Sequence, residues 1–585
     1  MVSKAWKMIL VGLMGSATVQ AQGPVNPVRI NQEGYYTKAP KWAAVVGNTI
    51  SDDYYLVSVP RNDTVYRGKL GKEQPSANSS LQTRQADFSS FTRPGSYRLL
   101  VPGLEASYLF RIGQHVHHAT AVALLKGFYY QRVSTPLEKT YAGIWHRPAG
   151  HPDTAVMIHP GAASANRPAG TVIASPGGWY DAGDYNKYIV NSGITMGTLL
   201  AAYEDFAPYF DTLRTHIPES PNKIPDLLDE VLVNLRWMLT MQDPADGGVY
   251  NKCTNVSFDG MVMPGVTKAP RYVVQKGTAA TLDFAAVMAQ AARIAGKFAK
   301  QLPGLRDSCL AAARLAWQWS VAHPDLPYDQ DKLNKEFTPV VSTGGYGDRN
   351  FTDEWYWAAA ELWITTQDET YTTTIAKEEQ QLVSIPSWAN VRMLGQYSLL
   401  RHGKHYASRF PAQAAAMRSK LLAYADGYVA AVPQSAFGTV MGRYRTDFVW
   451  GSSSVAANQG ILLINAWILT GNKKYVSGAL SNLDYLLGRN ATGYSFITGI
   501  GTYQVMHPHH RPSVADGIVP PVPGLLSGGP NPGQQDHCKY PYNEPETSFT
   551  DADCSYASNE IAINWNAPAV YLAAAVEALR VRVGY

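Results

Sequence analysis

Two textures of hydrophobic and polar alternation divide the chain. From about residue 25 to residue 112 the apolar residues come in short runs broken by turn formers, as at 41–46, 54–59 and 96–101. Such runs predict strands, and their spacing predicts a small antiparallel sandwich of about 90 residues. From His115 onward the period lengthens. Ile224, Leu227, Leu228, Val231, Leu235 and Met238 recur at helical spacing, with Asp226 placed as a cap near the start. The same pattern predicts helices over 278–299, 353–365, 412–432, 455–470 and 559–581, and about ten to twelve in all, with long Gly/Pro-rich loops between them. The stretch WITTQDETY at 363–371 is weakly echoed by WILTGNKKY at 467–475, each closing a helix. Repeated helix pairs fit an α/α toroid, with the loops at one end carrying the site.

The first residues follow a third pattern. Lys4 and Lys7 precede the apolar run MILVGLM at 8–14, and small residues follow up to Ala21. This predicts a signal peptide over 1–21 and an exported protein, periplasmic or secreted. The apolar run is too short for a membrane span, and no later stretch approaches the roughly 20 apolar residues one needs. The four cysteines allow three pairings, among which the sequence does not choose; Cys538 and Cys554 flank a short loop where a disulfide is plausible in an oxidising compartment, and no CxxC pair marks a structural zinc.

Composition narrows the partner. Charged residues make up 16% of the 585 residues, and the formal net charge is only +4. Lys and Arg are scattered, so an electrostatic footprint for nucleic acid is not expected. The 35 Tyr and 14 Trp suit a neutral, ring-shaped ligand such as a sugar. No Gly-rich phosphate loop or dinucleotide fingerprint is present, so no organic cofactor is expected.

Three stretches could carry chemistry. In GGWYDAGDYNKY at 177–188, Asp181 and Asp184 flank Ala-Gly, and the glycine permits a turn tight enough to bring both carboxylates together. Like charges so close are costly unless they hold a cation or polarise a water. In MHPHHR at 506–511, three His and an Arg could form a metal cluster, an anion clamp or a hydrogen-bonding wall. Pro508 disfavours metal, because it spoils the one-face spacing of helical ligands. In DADCSYASNEIAINWN at 551–566, Glu560 stands near the start of the last predicted helix, where the helix dipole also favours an acid. Apolar and aromatic neighbours would keep that carboxyl protonated.

Together these stretches resemble glycoside hydrolase family 9, the inverting cellulases, over nearly the whole chain. The segment VRINQEGY at 28–35 looks like the immunoglobulin-like domain that precedes many of these catalytic domains. FYYQR at 128–132, DGGVY at 246–250 and TAATLDFA at 278–285 also resemble family segments. The resemblance implies a mainly α fold: an (α/α)6 barrel over 116–585, behind an all-β Ig-like sandwich over 24–113. It implies an inverting hydrolase of β-1,4-glucosidic bonds acting on β-glucan or cello-oligosaccharide. Glu560 would be the general acid and Asp184 the general base, with Asp181 sharing or orienting the water. His509 and Arg511 would bind sugar hydroxyls, and Tyr556 would line the same subsite. A structural calcium is implied at the 347–354 loop, with Asp353 and Glu354 as ligands; a hard cation prefers such oxygens, although a plain helix start reads the same way. Asn564 stands where many relatives carry Asp. An exo-acting glucosidase, cellobiohydrolase or glucosaminidase is the alternative within enzymes, and a silent glycan-binding protein the alternative outside them. Both catalytic carboxylates argue against the latter.

Overall fold

The computed structural model describes residues 25–378 and 384–585. The expected signal peptide lies outside the described residues.

The short-run region folds as two facing sheets. One has four strands in the order Val28–Arg29, Trp42–Val46, Gln82–Asp87, Glu73–Pro75. The other has five, in the order Gly34–Tyr36, Phe110–Gly113, Gly95–Leu100, Asp53–Val59, Thr64–Lys69. Between them Val45, Tyr54, Leu56, Phe88, Leu99 and Phe110 fill a core of their own. The pairing is antiparallel, as expected, with one exception: Gly34–Tyr36 runs parallel to Phe110–Gly113. Gly34 makes that approach possible, since a Cβ there would lie 1.9 Å from the Arg111 carbonyl oxygen.

From His118 onward the chain is helical, and eleven helices of ten or more residues occur among the described residues. Six are buried almost all round: Ile189–Phe210, Thr278–Ala295, Thr352–Thr366, Arg392–Arg401, Ser452–Thr470 and Ile563–Leu579. A helix apolar on every side belongs inside a larger core. Others, such as Leu305–Ala322 and Pro411–Ala431, bury one stripe against them and expose the rest. The result is the double ring of an (α/α)6 barrel, and among the described residues no helix is long and apolar enough to cross a membrane.

Two local expectations are corrected. Asp226 does not cap its helix: Pro225 holds that position, and the Asp226 carboxylate instead receives Thr215 N, Thr215 Oγ1 and Ser220 Oγ. The last helix begins at Ile563 rather than 559, because Glu560–Ala562 is extended and bridges to His509, Ser527 and Ala182. Glu560 therefore does not owe its place to a helix dipole.

The sandwich is keyed to the barrel by buried polar contacts. Asn31 Nδ2 donates to Asp484 Oδ1 at 2.7 Å, and Tyr36 Oη donates to Glu577 Oε1 at 2.8 Å. At the surface, Ser80 N of a sandwich loop also donates to Glu544 Oε1 at 2.8 Å in the long loop before the last helices.

Candidate active site

The catalytic candidates meet where the buried helices begin. Asp184 lies five residues before Ile189, and Glu560 three before Ile563. The intervening backbone is stitched together by bridges, Ala182 to Ala562 and His509 to Glu560, and by Ile563 N donating to Asp181 O. All three motifs thus converge. Gly183 is required by this closeness: a Cβ on it would sit 2.0 Å from the His509 carbonyl oxygen. A third sheet, absent from the sequence reading, adjoins this site; its two- and three-residue strands run in the order 172–173, 156–158, 271–273, 252–254, 187–188.

The two aspartates have different surroundings. Asp181 is buried and accepts from Asn191 Nδ2 at 2.6 Å and Tyr346 Oη at 2.7 Å. Burial first, and the negative charge of Asp184 second, push its carboxyl up to about 8. Asp184 accepts from Asn186 Nδ2 at 2.5 Å and Tyr188 Oη at 3.3 Å. Glu560 keeps part of its surface open, yet its carboxyl is raised well above the ordinary range by desolvation, then by Asp184 and Asp181, against the pull of Arg511. One site therefore holds three carboxyl groups, two of which are inclined to keep their protons.

The remaining expected residues stand around this centre. Arg511 Nη1 donates to the Gly183 carbonyl at 2.8 Å and Nε to the Asp259 carbonyl at 2.9 Å, with the guanidinium 5.7 Å from the Phe258 ring. His509 Nδ1 lies 2.6 Å from the Asp553 carbonyl, and desolvation lowers its pKa, so its ring is neutral at neutral pH. Tyr556 packs between His509 and the half-exposed Trp450, with centroids 5.8 and 5.5 Å away. His510 is buried and structural, with Nε2 3.0 Å from Gln131 Oε1.

Below Tyr556, the Asp536 carboxylate receives Ser555 Oγ, Ala557 N and Tyr540 Oη, each at 2.8 Å. The expected Cys538–Cys554 disulfide closes the same turn, while Cys253 and Cys309 are free and buried.

Residues that the sequence reading missed are Tyr346, Asn191, Asn186 and Tyr188. Tyr346 comes from a distant loop and holds a left-handed backbone (φ 46°) unusual for a non-glycine. No local motif announces it.

The loop expected to bind calcium adjoins the start of Thr352–Thr366. Asp353 Oδ2 accepts from Val391 N at 2.7 Å. Both carboxyl oxygens of Glu354 and both of Asp283, and Asp348 Oδ2, are buried with no hydrogen-bond partner. Burial, and then the charge of neighbouring acids, pushes Asp283 and Glu354 well above the ordinary range. Among the described residues, no three His, Cys, Asp or Glu side chains form a closed metal-ligand set. The orphaned oxygens nonetheless fit a hard cation, which would relieve the desolvation they otherwise suffer.

Comparison with known proteins agrees with this architecture. The profile of Glycosyl hydrolase family 9 matches residues 118–573, and that of the cellulase N-terminal Ig-like domain matches 24–106. A xyloglucan-specific endo-β-1,4-glucanase of Bacteroides ovatus is 45% identical over 575 residues, covering 98% of this chain and 97% of its own. Endoglucanase D of Acetivibrio thermocellus is 33% identical over 555 residues, covering 93% of this chain and 82% of its own. The solved structure of a Bacteroides ovatus family 9 protein superposes with a TM-score of 0.89 at 44% identity, covering 94% of this chain and 99% of that one. The chain belongs to glycosyl hydrolase family 9: it is a glycoside hydrolase whose (α/α)6 barrel follows a cellulase-type Ig-like domain.

Proposed function

We propose that this glycoside hydrolase cuts β-1,4-linked glucan chains internally, with inversion, and that xyloglucan is among its substrates. The observation that carries the mechanism is that Asp184 and Glu560 stand on adjoining backbone segments, with the Glu560 carboxyl raised by desolvation toward its protonated form. Inversion needs an acid on the leaving oxygen and a carboxylate activating water on the opposite face, with carboxyls some ~6.5–9.5 Å apart to admit that water. Desolvated Glu560 holds a proton to give to the leaving oxygen. Asp184 takes a proton from the attacking water, and the neutral Asp181 fixes that water's orientation. Protonation of the leaving group and deprotonation of water then occur in one displacement, after which Glu560 is charged and Asp184 neutral. Solvent exchange restores both.

Arg511 and His509 would contact hydroxyls beside the scissile bond. Half-exposed rings stand on both flanks, Phe258 beside Arg511 and Trp450 beside Tyr556. Platforms on two sides suit a chain running through an open cleft, and the relatives named endoglucanases support internal cleavage. The xyloglucan-specific relative, the most similar of the proteins compared above, supports a branched backbone. Export through the charged and apolar leader at 1–21 would place the enzyme where such polysaccharides occur. A structural calcium held by Asp353 and Glu354 would neutralise buried negative charge at the start of Thr352–Thr366.

The test is a product time course on xyloglucan, carboxymethyl cellulose and cellohexaose, with Glu560→Gln alongside. Early mid-sized oligosaccharides support the endo reading. Stepwise release of glucose or cellobiose alone overturns it in favour of exo action. Activity retained in Glu560→Gln overturns the acid assignment.

A further inference from the structure

Lys252 is the buried cation that the mechanism above leaves without a task. It is fully buried in the short strand Lys252–Thr254, whose backbone pairs Lys252 with Tyr188, the residue that donates to Asp184. Its ammonium has only neutral acceptors: Gln330 Oε1 at 2.6 Å, Gly344 O at 2.7 Å, Thr343 Oγ1 at 2.9 Å and Thr343 O at 3.3 Å. Among the described residues no carboxylate lies within ion-pair distance of it; the rings of Tyr188 and Tyr328 lie 5.6 Å from Nζ on either hand. A buried ammonium without a salt bridge is costly to keep. Burial pulls its pKa down to about 7, and the negative charge of Asp184 is what pulls it back up.

Three of those four bonds go to adjacent residues, the hydroxyl and carbonyl of Thr343 and the carbonyl of Gly344. Two residues later the same loop presents Tyr346, which donates to Asp181 at 2.7 Å from a strained left-handed backbone. Such a conformation persists only where its surroundings over-determine it. The strand does so: Thr254 Oγ1 lies 2.6 Å from Thr343 Oγ1, and Asn251 Nδ2 donates to Gly345 O at 3.2 Å. Lys252 alone adds charge to this clamp.

We propose that Lys252 is a positioning residue for hydrolysis: it pins the 343–346 loop so that Tyr346 holds Asp181. This rests on the catalytic reading above. A displacement of about 1 Å in a group that orients the reacting water can cost about 100-fold in rate. The effect belongs to turnover rather than to substrate affinity, because none of the clamp residues lies among the rings and hydroxyl binders that flank the cleft.

The test compares Lys252→Met, Tyr346→Phe and the double variant on cellohexaose, with thermal melts of each. The expected result is a fall in kcat of about 10-fold or more for Lys252→Met with KM within about threefold of the parent. The double variant should be no more than about twofold below the worse single one, since both act through one contact. Lys252→Met with a lowered melting temperature but parental kcat overturns the proposal and leaves Lys252 a structural residue. Additive losses overturn the route through Tyr346. Should Lys252→Met fail to fold, Thr343→Val, which removes one clamp acceptor and no charge, carries the same expectations at smaller amplitude. Asp184→Asn and Glu560→Gln are assayed in parallel. If they are inactive while Lys252→Met and Thr343→Val turn over normally, the Lys252 proposal fails alone; if they remain active, the catalytic reading itself fails.

Discussion

The barrel buries ionised groups at both of its ends, and the two ends treat them oppositely. Where the buried helices finish, Arg293 joins Glu204 at 2.8 Å and Glu361 at 2.7 Å, and Arg401 joins Asp205 at 2.7 Å, with Tyr571 Oη also on Asp205 at 2.6 Å. Every acid there has a guanidinium. Burial alone would raise Glu204, but Arg293, His402 and Arg401 hold it well below the ordinary range. Where the helices begin, Asp181, Asp184 and Glu560 share one site without a salt bridge among the described residues, and two of them are pushed upward. Matched charge makes the far end a fastener. Mismatched charge makes the near end a site that can move protons.

That contrast can be broken most sharply at the near end. Glu560→Gln should cut turnover by about 10²–10⁴-fold while leaving the melting temperature close to that of the parent, since it removes a desolvated acid rather than a paired one. Asp184→Asn should be about as damaging, and normal hydrolysis by it would place the base elsewhere. At the far end the effects should exchange places. Arg293→Met strands Glu361 and weakens the hold on Glu204, and should cost about 3–5 kcal/mol of stability by denaturant unfolding, while kcat of the folded protein stays within about threefold.

A pH series sharpens the comparison further. Asp181 has its folded pKa raised to about 8 from an ordinary carboxylate value. The folded state thus binds more protons between those values, and stability falls as pH rises through that window. Asp181→Asn should flatten that slope between pH 5 and 8, measured by chemical unfolding; an unchanged slope would mean that another group titrates there. The smallest effect concerns calcium. Chelation should lower the melting temperature by a few degrees, on the order of 1 kcal/mol, and a melt insensitive to both chelator and added calcium would remove the cation from the 347–354 loop.

Much of this was legible in the amino-acid order, because its causes are local. The switch from period 2 to period 3.6 near residue 115 marks the change from sandwich to barrel, and the helix bounds at 352–366 and 452–470 follow the apolar pattern within three residues. Asp181, Asp184, His509, Arg511, Tyr556 and Glu560 were recognisable because each lies in a compact motif. What failed were statements about context. Asp226 has the look of a cap, yet tertiary partners claim its carboxylate. Glu560 has the look of a first-turn acid, yet its own pairing with His509, 51 positions earlier, and that of Ala562 with Ala182, 380 positions earlier, hold the segment extended. The short five-stranded sheet was invisible, since strands of two or three residues leave no period to read.

The sequence by itself determined which elements form, which carboxylates sit in tight turns, and which family of chemistry they resemble; each depends on neighbours a few positions apart. Only the tertiary structure decided the state of those groups. Asp181 is pushed toward its protonated form by burial beside Asp184 and is held by a tyrosine 165 residues away. Protonation depends on desolvation and on charges within a few ångströms, and those distances exist only once remote segments have packed.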